Sequence, residues 1–204
     1  AKWKHTRHKQ ELIHLRGIAA TEGAVTQDLR GKELIHLATH GFFASDECQN
    51  LETDGFGYDP MLLSGLVLAG ANHTGDPSAT EDGILTAAEL ASLDMSGTKL
   101  VVLSACETGL GKIQSGEGVL GIRRAFSVAG AEVLVTSLWS VPDDTTALIM
   151  ADLYGEALQR KRSMNGIDAL RQAQLHELSK QREAGIVRPQ EWAGFIASGV
   201  ADWE

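Results

Sequence analysis

Three short apolar runs constrain this chain more than any other feature. They are ELIHLAT at 33–39, KLVVLS at 99–104 and AEVLVTSL at 131–138. The middle run has an all-apolar core, the pattern of a strand buried on both faces. A sheet that is buried on both faces needs helices to cover it, and helix signals lie between the runs. TEGAVTQDLR at 21–30 opens on a capping threonine and stops at Gly31. Thr86 and Glu89 have capping-box spacing and open a helix to about residue 93. GEGVLGIRRAFSV at 116–128 reads as the next helix. Asp143 is expected to cap a helix to about residue 160, with Asp144 in its first turn. Ser163 is expected to cap another to about residue 183. The segment 192–198, WAGFIAS, reads as a last strand. This alternation predicts an α/β fold with a mainly parallel sheet flanked by helices.

The remaining stretches read as connections. Residues 44–60 and 70–83 are polar and turn-rich, so they are expected to be surface loops. In 61–69 two apolar runs are split by Ser64-Gly65, which reads as a hairpin or a strand followed by a turn. Residues 1–17 are expected to form a poorly defined N-terminal segment, with 18–204 as the one structured domain. The locally basic start, AKWKHTRHKQ, reads as a solvated terminus. The chain begins at Ala1 and is expected to be a piece of something longer.

Composition narrows the function classes. The net charge of −9 argues against holding nucleic acid or an anionic membrane through bulk charge. No apolar run approaches the ~18–20 residues of a transmembrane helix. Two cysteines without a CxxC pair exclude a disulfide scaffold and a zinc-ribbon pattern. A reducing, cytoplasmic setting is expected.

In an open parallel sheet, ligands bind beyond the carboxyl ends of the strands. Here those ends read Thr39-His40-Gly41, Ser104-Ala105-Cys106-Glu107 and Ser137-Leu138-Trp139. Taken alone, Cys106 is better read as core filler, because free cysteine is among the most buried residue types. If the first two strands are neighbours, ~4.8 Å apart, His40 and Cys106 come within reach of one another. An unassisted thiol has a pKa of about 8.5, and a nearby imidazole can take its proton and later return it to a leaving group. The N–H groups of Gly41 and Cys106 could then hold an oxyanion. That chemistry requires no metal and no cofactor.

Other signals carry less. The GxGxxG at 116–121 does not follow directly on a strand, as a dinucleotide turn must. A phosphate loop ending at Lys112 would need Gly at 106 and Ser or Thr at 113, where the chain has Cys106 and Ile113. No GxSxG occurs. His36 lies deeper in the strand that ends at His40 and is expected to serve in packing or support. His14, His73 and His176 have no paired ligand spacing, and Cys48 sits in a loop. Trp139 reads as a packing anchor near the cleft.

LIHLATHGFF (34–43), SGLVLAGAN (64–72), the long run 82–111 through LTAAEL and LSACETGLG, GEGVLGIRRAF (116–126) and AGAEVLVTSLWSVPDD (129–144) closely resemble the CHAT-domain family. The closing WAGFIASGVADW is similar too. The family comprises caspase-like cysteine peptidase domains related to caspases and separases. The resemblance implies a caspase–haemoglobinase-like fold with part of its N-terminal half missing here. It implies a cysteine endopeptidase with His40 and Cys106 as its dyad. LWSVPDD resembles a separase motif, which implies that Asp143, and less directly Asp144, could face a basic side chain before the scissile bond. It also implies protein or peptide substrates and a helical-repeat regulatory region or partner. The rival expectation is a regulatory or scaffold module that stays inactive until a partner or the missing upstream region engages it.

Overall fold

A computed structural model describes residues 12–43, 61–73, 81–104, 117–159 and 166–199. Among these described residues, four strands form the main sheet in the order β1 (Leu34–Leu37), β5 (Leu100–Leu103), β6 (Val133–Ser137) and β7 (Phe195–Gly199). β1, β5 and β6 run parallel, and β7 closes the far edge antiparallel. Helices α1 (Glu22–Leu29), α2 (Ala87–Ala91) and α3 (Glu117–Ala129) contribute to one apolar core, and α4 (Asp143–Gln159) and α5 (Gly166–Glu183) to the other. α6 (Pro189–Trp192) is a single turn before β7.

The all-apolar composition of β5 follows from its place. Successive side chains of a strand point to opposite faces. Val101 and Leu103 enter the core shared with α1, α2 and α3, while Leu100 and Val102 enter the core shared with α4 and α5. All four residues are buried. β6 divides the same way, with Leu134 on the first side and Val133 and Val135 on the second. At α5, a Cβ on Gly166 would stand 2.8 Å from Leu100 Cδ1 and 3.1 Å from Val133 Cγ1, so a larger residue there would push these side chains aside.

A second sheet of three antiparallel strands, β2 (His40–Phe43), β3 (Ser64–Val67) and β4 (Ile84–Thr86), was not expected from the sequence. Its Leu66 and Leu85 are fully buried in the first core. The strand expected over 33–39 therefore ends at Leu37, and His40 opens a new strand instead of closing the old one. Only Ala38 and Thr39 separate the two sheets. Thr39 Oγ1 donates to the Val67 carbonyl, which draws the chain across to β3.

Ser64-Gly65 is likewise no break. Both residues lie inside β3. A Cβ on Gly65 would stand 2.6 Å from the Leu85 carbonyl oxygen, so glycine is there for close strand approach and not for a turn. The capping box is as expected: Thr86 Oγ1 accepts from Glu89 N, and the Glu89 carboxylate accepts from Thr86 N at 2.8 Å. α1 starts on Thr21, whose Oγ1 accepts from Ala24 N. Asp143 is the first residue of α4 and not its cap, a difference of one position. Trp192 ends α6, and the last strand begins only at Phe195, because Pro189 starts a helical turn first. The expected loop 44–60, part of the 70–83 loop, Cys48, Cys106, the glycine patterns around 109–116 and the Ser163 cap lie outside the described residues.

Candidate functional site

The parallel pair β1–β5 sets the geometry at the candidate site. Leu37 stands opposite Leu103 at the carboxyl ends. The ladder continues one step further, with Ser104 N donating to Leu37 O at 3.1 Å. The expectation that these two strands are neighbours is met. From this common edge one chain leads through Ala38 and Thr39 to His40. The other leads from Ser104 toward Cys106, two residues on and outside the described residues.

His40 is solvent-exposed and Gly41 is buried. The backbone direction of Gly41 follows from the antiparallel register. Leu68 N donates to Gly83 O at 2.8 Å, so the alternation assigns the Leu66 backbone groups to β4. Gly65 and Val67 then pair with Phe42 and His40. Gly41 is left directing its N–H away from β3, at the edge of the small sheet.

The third strand end comes from β6. Leu138 N donates to Gly194 O at 2.7 Å, and Trp139 Nε1 donates to Gln190 O at 2.8 Å. A Cβ on Gly194 would meet the Trp139 indole and Val141. Trp139 is thus the packing anchor the sequence implied, tying the β6 end to the α6–β7 corner. Asp143 and Asp144 follow, both exposed in the first turn of α4, where carboxylates suit the positive end of the helix dipole.

His36 is the residue whose importance the sequence concealed. It lies in β1, whereas His40 lies in β2, so the two do not share a strand. Its Nε2 is 2.9 Å from Ser104 Oγ, and its Nδ1 is 2.7 Å from the hydroxyl of the buried Tyr154 on α4. Part of the ring still reaches solvent, but protein crowds it on the Tyr154 side. That desolvation lowers the His36 pKa from its ordinary value of 6.5. Burial also pushes the Tyr154 phenol well above its usual range, so the hydroxyl keeps its proton. Nothing in the spacing of a strand histidine and a mid-helix tyrosine announces this contact across 118 residues.

Among the described residues, no group of three His, Cys, Asp or Glu side chains is placed to hold a metal. No described helix is long and apolar enough to cross a membrane.

The sequence matches the CHAT domain over residues 3–200. The chain belongs to the CHAT-domain family. CHAT domains are caspase-like, and the parallel sheet flanked by helices agrees with that class. Tetratricopeptide repeat protein 28 of Mus musculus is 30% identical over 198 residues, covering 90% of this chain and 8% of the relative. Tetratricopeptide repeat protein 28 of Homo sapiens has the same identity and coverage. This CHAT domain therefore spans a small part of the length of those relatives.

Proposed function

We propose that this caspase-like CHAT domain is a cysteine endopeptidase, with Cys106 as nucleophile and His40 as general base and then acid. One observation carries the reading. Two paired parallel strands end level with each other, and one leads to Thr39-His40-Gly41 while the other leads to Ser104-Ala105-Cys106. Such an edge is where α/β sheets place their chemistry.

In this reading His40 takes the thiol proton, and the Cys106 thiolate attacks the scissile carbonyl carbon. The N–H groups of Gly41 and Cys106 hold the resulting oxyanion, and the outward direction of the Gly41 N–H supports its part. Collapse breaks the C–N bond, and the departing amine takes the proton from His40. Water, deprotonated by His40, then attacks the thioester and frees the acid and the thiol. Asp143, with Asp144 beside it, receives a basic side chain preceding the scissile bond, which their exposure on α4 permits. Free-thiol chemistry of this kind suits a reducing, cytoplasmic compartment.

Cys106→Ala is expected to abolish cleavage of a peptide library while leaving the thermal melting curve in place. Retained turnover by that variant would sink the reading. In the same library, Asp143→Asn is expected to weaken the preference for Arg or Lys before the cut. An unchanged preference removes Asp143 from the pocket.

A second reading is a regulatory or scaffold module that stays inactive until a helical-repeat region or partner engages it. It is favoured by the relatives, which are named for tetratricopeptide repeats and of which this chain covers 8%. Selective labelling of Cys106 over Cys48 by a thiol-reactive peptide electrophile, lost in His40→Ala, separates a formed dyad from this alternative.

A further inference from the structure

Three elements lead into the proposed site: β1 toward His40, β5 toward Cys106, and α4 from Asp143 and Asp144. A single hydrogen-bonded chain joins all three. Tyr154 on α4 reaches His36 on β1 at 2.7 Å, and His36 reaches Ser104, the first residue after β5, at 2.9 Å. The tyrosine and histidine rings are 5.8 Å apart and tilted by 45°. Ser104 also carries the last ladder bond to Leu37, so it is held by backbone and side chain together.

The Tyr154 hydroxyl is on a buried residue and costs stability unless it is paired, and His36 supplies its partner. A neutral imidazole has one donor and one acceptor nitrogen. The chain therefore runs in one sense: Tyr154 donates to Nδ1 and Nε2–H donates to Ser104, or the reverse. Either way each of the three groups limits the orientation of the next.

We propose that Tyr154, His36 and Ser104 act as one strut fixing the ends of β1 and β5 against α4, with Tyr154 and His36 as positioning residues for the thiol chemistry. The proposal rests on reading Cys106 and His40 as a reactive pair. Displacing Ser104 displaces the chain two residues before the nucleophile, and misplacement by ~1 Å can cost on the order of a hundredfold in rate.

The test uses Tyr154→Phe, which removes one hydroxyl, and Ser104→Ala as a second break should the first variant fold poorly. Nitrogen-15 NMR reads the His36 ring independently of turnover. The parent is expected to show one neutral tautomer at neutral pH, and each variant a mixture. On a peptide substrate, kcat is expected to fall on the order of tenfold with KM nearly unchanged. Ser104→Thr keeps a hydroxyl and is expected to recover most of the rate. A parent in which Cys106 is alkylated no faster than Cys48 overturns the dyad and the strut's role with it. A reactive parent whose Tyr154→Phe and Ser104→Ala variants keep parental kcat and one tautomer overturns the strut alone.

Discussion

β1 and β5 lie side by side in register, Leu34 against Leu100 and His36 against Val102. Their sequences, LIHL and LVVL, differ little in apolar character. Their situations differ a great deal. β5 is central, and all four of its residues are buried. β1 is the sheet edge, with one buried residue, two half-buried ones and an exposed histidine. The central strand is specified by apolar packing on both faces. The edge strand can carry a polar side chain, and it uses that freedom to reach a helix and the end of its neighbour. Apolar packing and polar contact are thus divided between adjacent strands.

The hardest way to break this division is to give β5 the polarity that β1 tolerates. Val102→Asp would bury a carboxylate among Leu100, Val135 and the α4–α5 side chains. The expected loss is several kcal/mol, on the order of 4 or more, enough to abolish a cooperative thermal transition. A variant melting near the parent would show that the central strand is not defined by dryness.

A gentler comparison uses the register pair Leu34 and Leu100, which share one core. Leu100→Ala is expected to cost about 2–5 kcal/mol in urea denaturation. Leu34→Ala, half-buried at the edge, is expected to cost about 1–2 kcal/mol. Equal losses would erase the distinction between centre and edge.

The smallest effect concerns charge at the edge. The folded His36 pKa is depressed, so the unfolded chain binds that proton more readily. The His36 contribution is therefore fully present above the ordinary value of 6.5 and is lost as pH falls from there through the folded value. His36→Gln is expected to flatten that part of the stability–pH profile. Urea midpoints measured on either side of 6.5 check this, and parallel profiles for parent and variant would refute it.

What was legible in the sequence follows the range of the forces involved. β5 was legible because a run of four buried apolar residues declares itself. The α2 start was legible because Thr86 and Glu89 satisfy each other within one turn. β2 was missed because it begins three residues after β1, and its direction is set by Val67, 28 residues beyond Thr39. Ser64-Gly65 misled because glycine signals a turn locally, while its reason here is the Leu85 carbonyl on another strand. In the candidate site, the THG and SACETG motifs marked His40, Gly41 and Cys106. His36 was expected in packing or support, but its partners were not legible, because Tyr154 and Ser104 are distant in sequence and Tyr154 belongs to no motif.

The span of the Tyr154–His36 contact also bears on how the domain is made. The two residues are separated by 118 positions. At roughly 5–20 residues per second, that separation corresponds to ~6–24 s of translation. Contacts of such range are also the slow ones to form, because a long loop must close before they contribute. The β1 end can therefore meet its helix partner only after the chain has been synthesised through Tyr154. The Tyr154–His36–Ser104 contacts at the candidate site are thus completed late in folding.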